Sequence, residues 1–185
     1  MTFKSNPFAT KFWSPGAIPF RFVEEGESCE RLVTEFERLG GGQIVGPHGS
    51  GKSTLIESLK TVFARRGYDI RHTVLNDRNR QLPDDFLSDP LREISVRIVD
   101  GFERLSLGKR FRLRWTFPGR FLVVTHRPVA RLPILYRTAP RFEVFMELVR
   151  QLTEKGPCDD ELRRLFERSR GNFRDAFLTL YDRQQ

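Results

Sequence analysis

GPHGSGKST, residues 46–54, lies between a short apolar run and a long amphipathic stretch. Glycines at 46, 49 and 51 let the backbone curl so that consecutive N–H groups converge on one anion, a nest that bulky residues cannot form. From Gly51 to Arg66 the chain puts Leu55, Leu59, Val62 and Phe63 on one face, which predicts a helix stopped by Gly67. The positive end of that helix adds its field to the loop. Gly46-x-x-x-x-Gly51-Lys52-Ser53 is the spacing at which a lysine reaches the β- and γ-phosphates and a serine hydroxyl ligates Mg²⁺. The candidate binding residues are therefore Gly46, Pro47, His48, Gly49, Ser50, Gly51, Lys52, Ser53 and Thr54. A glycine-rich turn that merely contains Lys-Ser is the plain alternative, and the strand before and helix after argue against it. The expected ligand is a nucleoside triphosphate, ATP ahead of GTP, with Mg²⁺ as cofactor.

Outward from the loop, short apolar runs alternate with helical ones. Gln43–Val45, Asp69–Leu75, Glu93–Val99, Phe121–Thr125 and Pro133–Tyr136 read as strands. FLVV and RIVD show little polar alternation, as expected of strands covered on both faces. Strands separated by helices argue for a parallel sheet with right-handed crossovers. The expected fold is α/β: a three-layer parallel-sheet P-loop NTPase core with a short C-terminal helical lid. Residues 1–26 form an N-terminal arm rich in Phe and Pro, residues 27–138 the core, and residues 139–185 the lid. Glu27–Leu39 opens the core as a helix. Three apolar stripes mark the lid helices: Phe142, Phe145, Met146, Val149 and Leu152; Leu162, Leu165 and Phe166; and Phe173, Ala176, Phe177 and Leu180.

The chain has 185 residues, 32 of them Lys or Arg against 24 Asp or Glu, a formal charge of +8. This balance fits a phosphate-rich partner, although the arginines are spread along the chain, as on an ordinary solvated surface. Cys29 and Cys158 stand apart from any ligand-spaced cluster, so neither a disulfide framework nor a zinc site is expected. No signal-peptide core and no apolar run of membrane-spanning length is visible. A cytoplasmic protein without membrane contact is the expectation.

A metal bound to phosphates favours a carboxylate at the end of a buried strand. EISVRIVDGFERLS, residues 93–106, ends such a strand at Asp100, and Gly101 gives a sharp turn. Ligands of open α/β sheets bind at that edge, so Asp100 joins Ser53 as a candidate metal ligand. The alternative role for Asp100 is a helix N-cap. Glu103, three residues on, is the candidate for polarising an attacking water, or else serves a helix dipole. A second buried strand ends in Thr125, His126 and Arg127. Thr125 and Arg127 are candidates for sensing γ-phosphate charge, whereas His126 reads as a hydrogen-bonding or surface residue.

GPHGSGKST, RIVDGFE and LVVTHRP, in that order, resemble the P-loop, Mg²⁺-carboxylate and sensor-1 motifs of the additional-strand ATPases. These comprise AAA+ proteins and the related STAND/NACHT signalling ATPases. The Asp-Gly-hydrophobic-acid pattern and the Thr-x-Arg-Pro ending are closer to the STAND/NACHT style. SRGNFRDAFLTLYD, residues 169–182, is similar to the AAA+ sensor-2 helix, in which Arg174 would reach the nucleotide from the lid. The resemblance implies an ATPase or nucleotide switch. AAA+ ATPases usually carry the catalytic Glu directly after the metal Asp, whereas Gly101 follows Asp100 here, so slow hydrolysis is expected. No effector or repeat domain accompanies the motifs, which implies output through a protein partner. The same resemblance makes Ile18, Pro19 and Phe20 candidates for covering the adenine, against simple packing of the arm.

Two other functions remain open. A small-molecule kinase would use VLNDRNRQLPDDF, with Asp77 as base and Arg78 or Arg80 gripping phosphate; a solvated loop is the alternative. A nucleic-acid-associated ATPase would use GKRFRLRWTFPGR, residues 108–120. There Lys109, Arg110, Arg112 and Arg114 alternate with Phe111, Leu113 and Trp115, as in a strand with one basic wet face. The competing account is a connector with solvated arginines. Nucleic acid is therefore not the favoured partner.

Overall fold

The computed structural model describes residues 6–86, 95–116 and 120–184. Five parallel strands form one sheet: β1 (Gly41–Val45), β2 (Asp69–Val74), β3 (Ser95–Asp100), β4 (Phe121–Thr125) and β5 (Ile134–Arg137). Glu93 and Ile94, expected at the start of β3, lie outside the described residues. The spatial order is β2-β3-β4-β1-β5, so β4 is inserted between the strand that leads into residues 46–54 and the strand that ends at Asp100. Registers run Val45 opposite Thr125 and Asp100 opposite Val124. Every residue of β1 and β4 is buried, because the sheet is covered on both faces. That is the three-layer α/β architecture expected from the apolar runs.

The chain divides into two compact units. One holds Gly26–Gly46 and Ser58–Arg137, with the sheet, α1 (Cys29–Leu39), most of α2 (Lys52–Arg65) and α3 (Leu107–Thr116). Ser28 caps α1 by accepting from the Arg31 amide, and Gly40 ends it in the left-handed region. Phe36 of α1 meets Phe63 of α2 edge-on, with ring centroids 5.1 Å apart. Arg66, just past α2, bonds Glu30 and Glu37 of α1, and its hydrogen bond holds the Glu30 carboxyl below the usual carboxylate range. On one face of the sheet, Val99, Phe121 and Val123 pack with Leu75, Phe86, Phe102, Leu105 and Leu113. Leu122 and Val124 alternate to the other face and are fully buried as well. Gln43, 1% exposed, donates its amide to the Val129 and Leu132 carbonyls and accepts from the Val129 amide. A buried polar side chain satisfied in this way fixes the connection from β4 to β5.

The segment 108–120, for which the sequence offered either a strand with one basic wet face or a connector with solvated arginines, carries α3 instead of a strand over its described residues 108–116. Leu113 alone of its apolar residues with described side chains turns inward, while Leu107 and Phe111 are 79% and 64% exposed. Arg110 also turns inward, donating to the Leu105 carbonyl at 2.8 Å and to the Glu103 carbonyl. A helix can bury one such stripe and leave the remaining basic residues wet, as the connector reading has them. The side chains of Arg114 and Trp115, and residues 117–119, lie outside the described residues.

The second unit comprises Met1–Glu25, Pro47–Glu57 and Thr138–Gln185. Its helices α4 (Phe142–Leu152), α5 (Asp159–Arg168) and α6 (Phe173–Asp182) follow the three apolar stripes. Phe142, Phe145, Val149, Leu162, Leu165, Ala176, Phe177 and Leu180 form one cluster, and Phe8 of the arm is wholly buried among them. Trp13 stacks on Phe177 with centroids 5.3 Å apart. Asn6 donates to the Tyr181 carbonyl at 2.8 Å, so the arm is held by polar as well as apolar contacts. Among the described residues no helix is long and apolar enough to cross a membrane.

Candidate functional site

The loop leaves β1 at Gly46, whose amide donates to the Thr125 carbonyl at 3.2 Å. Beyond it, Gly49 and Gly51 take positive φ, 68° and 86°, a backbone conformation that an anion nest uses. α2 begins at Lys52, and the Leu55 amide closes the first turn on the Gly51 carbonyl at 2.9 Å. The Pro47 carbonyl accepts from both the Lys52 ammonium, at 2.6 Å, and the Ser50 hydroxyl, at 2.8 Å. Ser50 also bonds the Thr138 hydroxyl at 2.6 Å, both residues being buried. Lys52 is 8% exposed, whereas Pro47, His48 and Ser53 are exposed and Thr54 is half-buried.

Two close approaches shape this loop. A Cβ at Gly49 would stand 1.8 Å from Oδ1 of Asn172 and 3.0 Å from its Cα, and the Phe173 amide donates to the Gly49 carbonyl at 3.3 Å. Asn172 is the N-cap of α6, accepting from the Arg174 and Asp175 amides. Arg174 therefore sits, exposed, in the first turn of a helix whose cap touches the loop. A Cβ at Gly51 would meet the Phe20 ring at 3.1 Å. Of the three adenine candidates, Ile18 is buried, Pro19 exposed, and Phe20 half-buried against the loop. The contact of Asn172 with Gly49 was not anticipated from the sequence.

At the end of β3, Gly101 has φ 78° and ψ 33°. A Cβ there would lie 2.4 Å from the Leu75 carbonyl oxygen, a backbone atom that cannot swing aside. Position 101 therefore has no room for any acid, and the nearest following one is Glu103, in the 3₁₀ turn Phe102–Arg104. That turn is capped by Gly101, so Asp100, half-buried, is not its N-cap. Arg110 grips the backbone of the turn from α3. The Glu103 carboxylate meets His126, with Oε1 3.3 Å from Nε2. The other ring nitrogen of His126, Nδ1, is 3.1 Å from the Gly46 carbonyl. A carbonyl can only accept, so Nδ1 carries a proton, and the contact with Glu103 is attractive when a proton also lies between Nε2 and Oε1. Oε2 of Glu103 is buried with no hydrogen-bond partner among the described residues.

Thr125 is buried and donates its hydroxyl to the Arg127 carbonyl at 2.8 Å; the Arg127 side chain is exposed. Asp77, the acceptor base of the kinase alternative, pairs with Arg80 at 3.0 Å and with Arg104. The Asn76 side chain accepts from the Arg78 and Asn79 amides, shaping an exposed turn. Sequence reading had no signal for the bridge through His126, since its partners are distant along the chain.

No protein-family model matches the chain, and no curated protein matches it. Solved structures do. The RuvB Holliday junction branch migration motor of Thermotoga maritima superposes with a TM-score of 0.58 at 18% identity, covering 86% of this chain and 61% of that one. AMPPCP-bound DnaA from Aquifex aeolicus gives a TM-score of 0.53 at 16% identity, covering 84% of this chain and 61% of that one. The chain thus spans about 61% of the length of these proteins. The likeness, with β4 inserted between β1 and β3, shows the fold of an AAA+-type P-loop NTPase.

Proposed function

We propose that the chain is an ATP-binding P-loop NTPase, a Mg²⁺-dependent ATPase with slow turnover that serves as a nucleotide switch of AAA+/STAND type through a protein partner. The observation that carries this reading is the loop itself. Its positive-φ glycines, buried lysine and helix start at Lys52 are the parts an anion nest requires. The surroundings also fit a nucleotide. The close packing of Asn172 and Phe20 against Gly49 and Gly51 supports a compact cradle, and the half-buried Phe20 ring offers an apolar face for a base.

Under this reading Gly46 to Thr54 bind the phosphates, and Ser53 and Asp100 hold the metal. Bound Mg²⁺ would neutralise charge on the phosphate oxygens. Glu103 orients and polarises water, and its buried, open-valenced Oε2 supports that role. Thr125 and Arg127 respond to the γ-phosphate, and Arg174 reaches the nucleotide from the start of α6. Gly101 bears on rate: the acid is displaced from position 101 to 103, and a shift of about 1 Å in such a group costs on the order of 100-fold, in line with slow turnover. A state bound differently by ATP and ADP shifts in population on hydrolysis, which is what a switch requires.

Calorimetry with Mg·ATP on the wild type and Lys52→Ala tests the reading. Lys52 makes charge-assisted hydrogen bonds worth about 1.5–3 kcal/mol each, so its removal should weaken binding by roughly 10–100-fold or more. Wild-type protein that binds neither ATP nor GTP at millimolar concentration would remove the reading. A nucleic-acid-associated ATPase is the second reading, favoured by one observation: α3 exposes Leu107 and Phe111 beside Lys109 and Arg112. Salt-dependent binding of single-stranded DNA or RNA, reduced by Arg112→Ala, would support it.

A further inference from the structure

We infer that His126 is the positioning residue for Glu103, and that it ties the carboxylate to the first residue of the phosphate loop. This deepens the ATPase reading and rests on it for its kinetic consequence, though not for the contact itself. Three observations carry the inference.

The first is reach. One imidazole spans from the Gly46 carbonyl, 3.1 Å from Nδ1, to Glu103 Oε1, 3.3 Å from Nε2. Both contacts use ring nitrogens on a planar group only a few ångströms across, so neither partner can move far without breaking the bridge or turning the ring. The second is mounting. His126 follows the last residue of β4, the strand paired with β1 on one side and with β3 on the other, and the Gly46 and Gly101 amides both donate to carbonyls of β4, those of Thr125 and Val124. The ring is thus carried by the strand that anchors both turns. The third is the state of the carboxylate. The backbone of Glu103 is held by Arg110 and one carboxylate oxygen by His126, which leaves Oε2 buried and still able to accept. A carboxylate fixed at its backbone and at one oxygen presents the other in a defined direction, as a group that polarises water needs.

The consequence is coupling. When phosphates order the loop, any turn of the Gly46 peptide alters the bond to Nδ1, and the same ring passes the change to Glu103. His126 touches neither phosphate nor water in this scheme, so it acts through Glu103. The structure supplies the link in one piece, with no longer chain of contacts to invoke.

The test combines kinetics with a direct view of the ring. Wild type, His126→Ala, His126→Gln, Glu103→Gln and the double variant His126→Ala/Glu103→Gln are compared for ATP hydrolysis and for ATP affinity by calorimetry, with circular dichroism to verify folding. His126→Ala should lower kcat about tenfold or more while KM and Kd stay within about twofold. His126→Gln, which keeps one donor, should recover part of the loss. The double variant should be no slower than Glu103→Gln alone, since the two residues act as a unit. Losses that multiply, or an unchanged kcat in His126→Ala, would overturn the proposal. The chain has three histidines, so their ring signals can be separated by NMR. Glu103→Gln should move the His126 ring signal and leave those of His48 and His72 in place. An unmoved His126 signal in folded Glu103→Gln overturns the contact whether or not ATP is turned over. ATP bound without hydrolysis would instead remove the ATPase reading, and the ring signal would still decide this one.

Discussion

The turn after β1 and the turn after β3 solve the same steric problem and carry opposite charge. Each leaves the C-terminal end of a central parallel strand, and each depends on a glycine in the left-handed region, Gly49 at φ 68° and Gly101 at φ 78°. The first presents amides and the Lys52 ammonium; the second presents the carboxylates of Asp100 and Glu103. The close approaches differ in kind. Gly49 is pressed by Asn172, mostly by a side chain, whereas Gly101 is pressed by the Leu75 carbonyl, which is backbone. A side chain can rotate, whereas the Leu75 carbonyl belongs to backbone held beside β3 by its own amide, which donates to the Asp100 carbonyl at 2.8 Å, so the second turn has far less freedom to accept change. The spacing of a motif reports which residues meet a ligand; it is silent about which residues meet one another.

The largest effect should come from the acid that the second turn does carry. Glu103→Gln removes the proposed general base while keeping shape and size, and such groups contribute about 10²–10⁴-fold to rate. Phosphate release should therefore fall by at least about 100-fold, with ATP affinity by calorimetry unchanged. Normal turnover would mean the two turns do not divide their work as binding and hydrolysis.

Next comes the glycine that forces the acid to position 103. Gly101→Ala places a Cβ 2.4 Å from the Leu75 oxygen in a conformation that itself costs about 1–2 kcal/mol, and overpacking adds about 1–3 kcal/mol. For a chain of this size each kcal/mol moves Tm by roughly 2–4 °C, so thermal unfolding should begin roughly 5–15 °C lower. A melting point within a degree or two of wild type would show that the Leu75 backbone yields, and the contrast with Gly49 would vanish.

These two turns also mark how far the sequence could be read. The loop was legible as a turn leading into a helix because its glycine spacing suits positive φ, found at Gly49 and Gly51, and the strands because burial on both faces leaves runs such as FLVV. The three tail helices were visible as apolar stripes, each with a helical period. α3 was not legible as a helix because KRFRLRW alternates basic and apolar residues, a pattern that fits a strand with one wet face as well as a connector with solvated arginines. Here Arg110 spends its guanidinium on the carbonyls of the preceding turn, and Leu107 and Phe111 stay exposed, so hydropathy and burial part company. The bridge from Gly46 through His126 to Glu103 could not be read at all. Its first two members are 80 positions apart, and they meet because β4 inserts between β1 and β3, an arrangement no local pattern encodes.

The smallest effect separates the side-chain approach from the backbone one. Asn172 caps α6 through its Oδ1, and losing such a cap costs about 1 kcal/mol, so Asn172→Ala should lower Tm by roughly 2–4 °C. The same substitution clears the atom that stands 1.8 Å from a Cβ at Gly49. Gly49→Ala alone should therefore destabilise more than it does in the Asn172→Ala background, where the strain of φ remains and most of the collision is gone. A double-mutant cycle on the two positions should give a coupling of about 0.5–3 kcal/mol, the range for residues in contact. No such relief is available at Gly101, because no substitution removes the Leu75 carbonyl. If Gly49→Ala costs the same with and without Asn172, the loop is not braced by the cap of α6, and Arg174, two residues along that helix, loses its structural link to the phosphate loop.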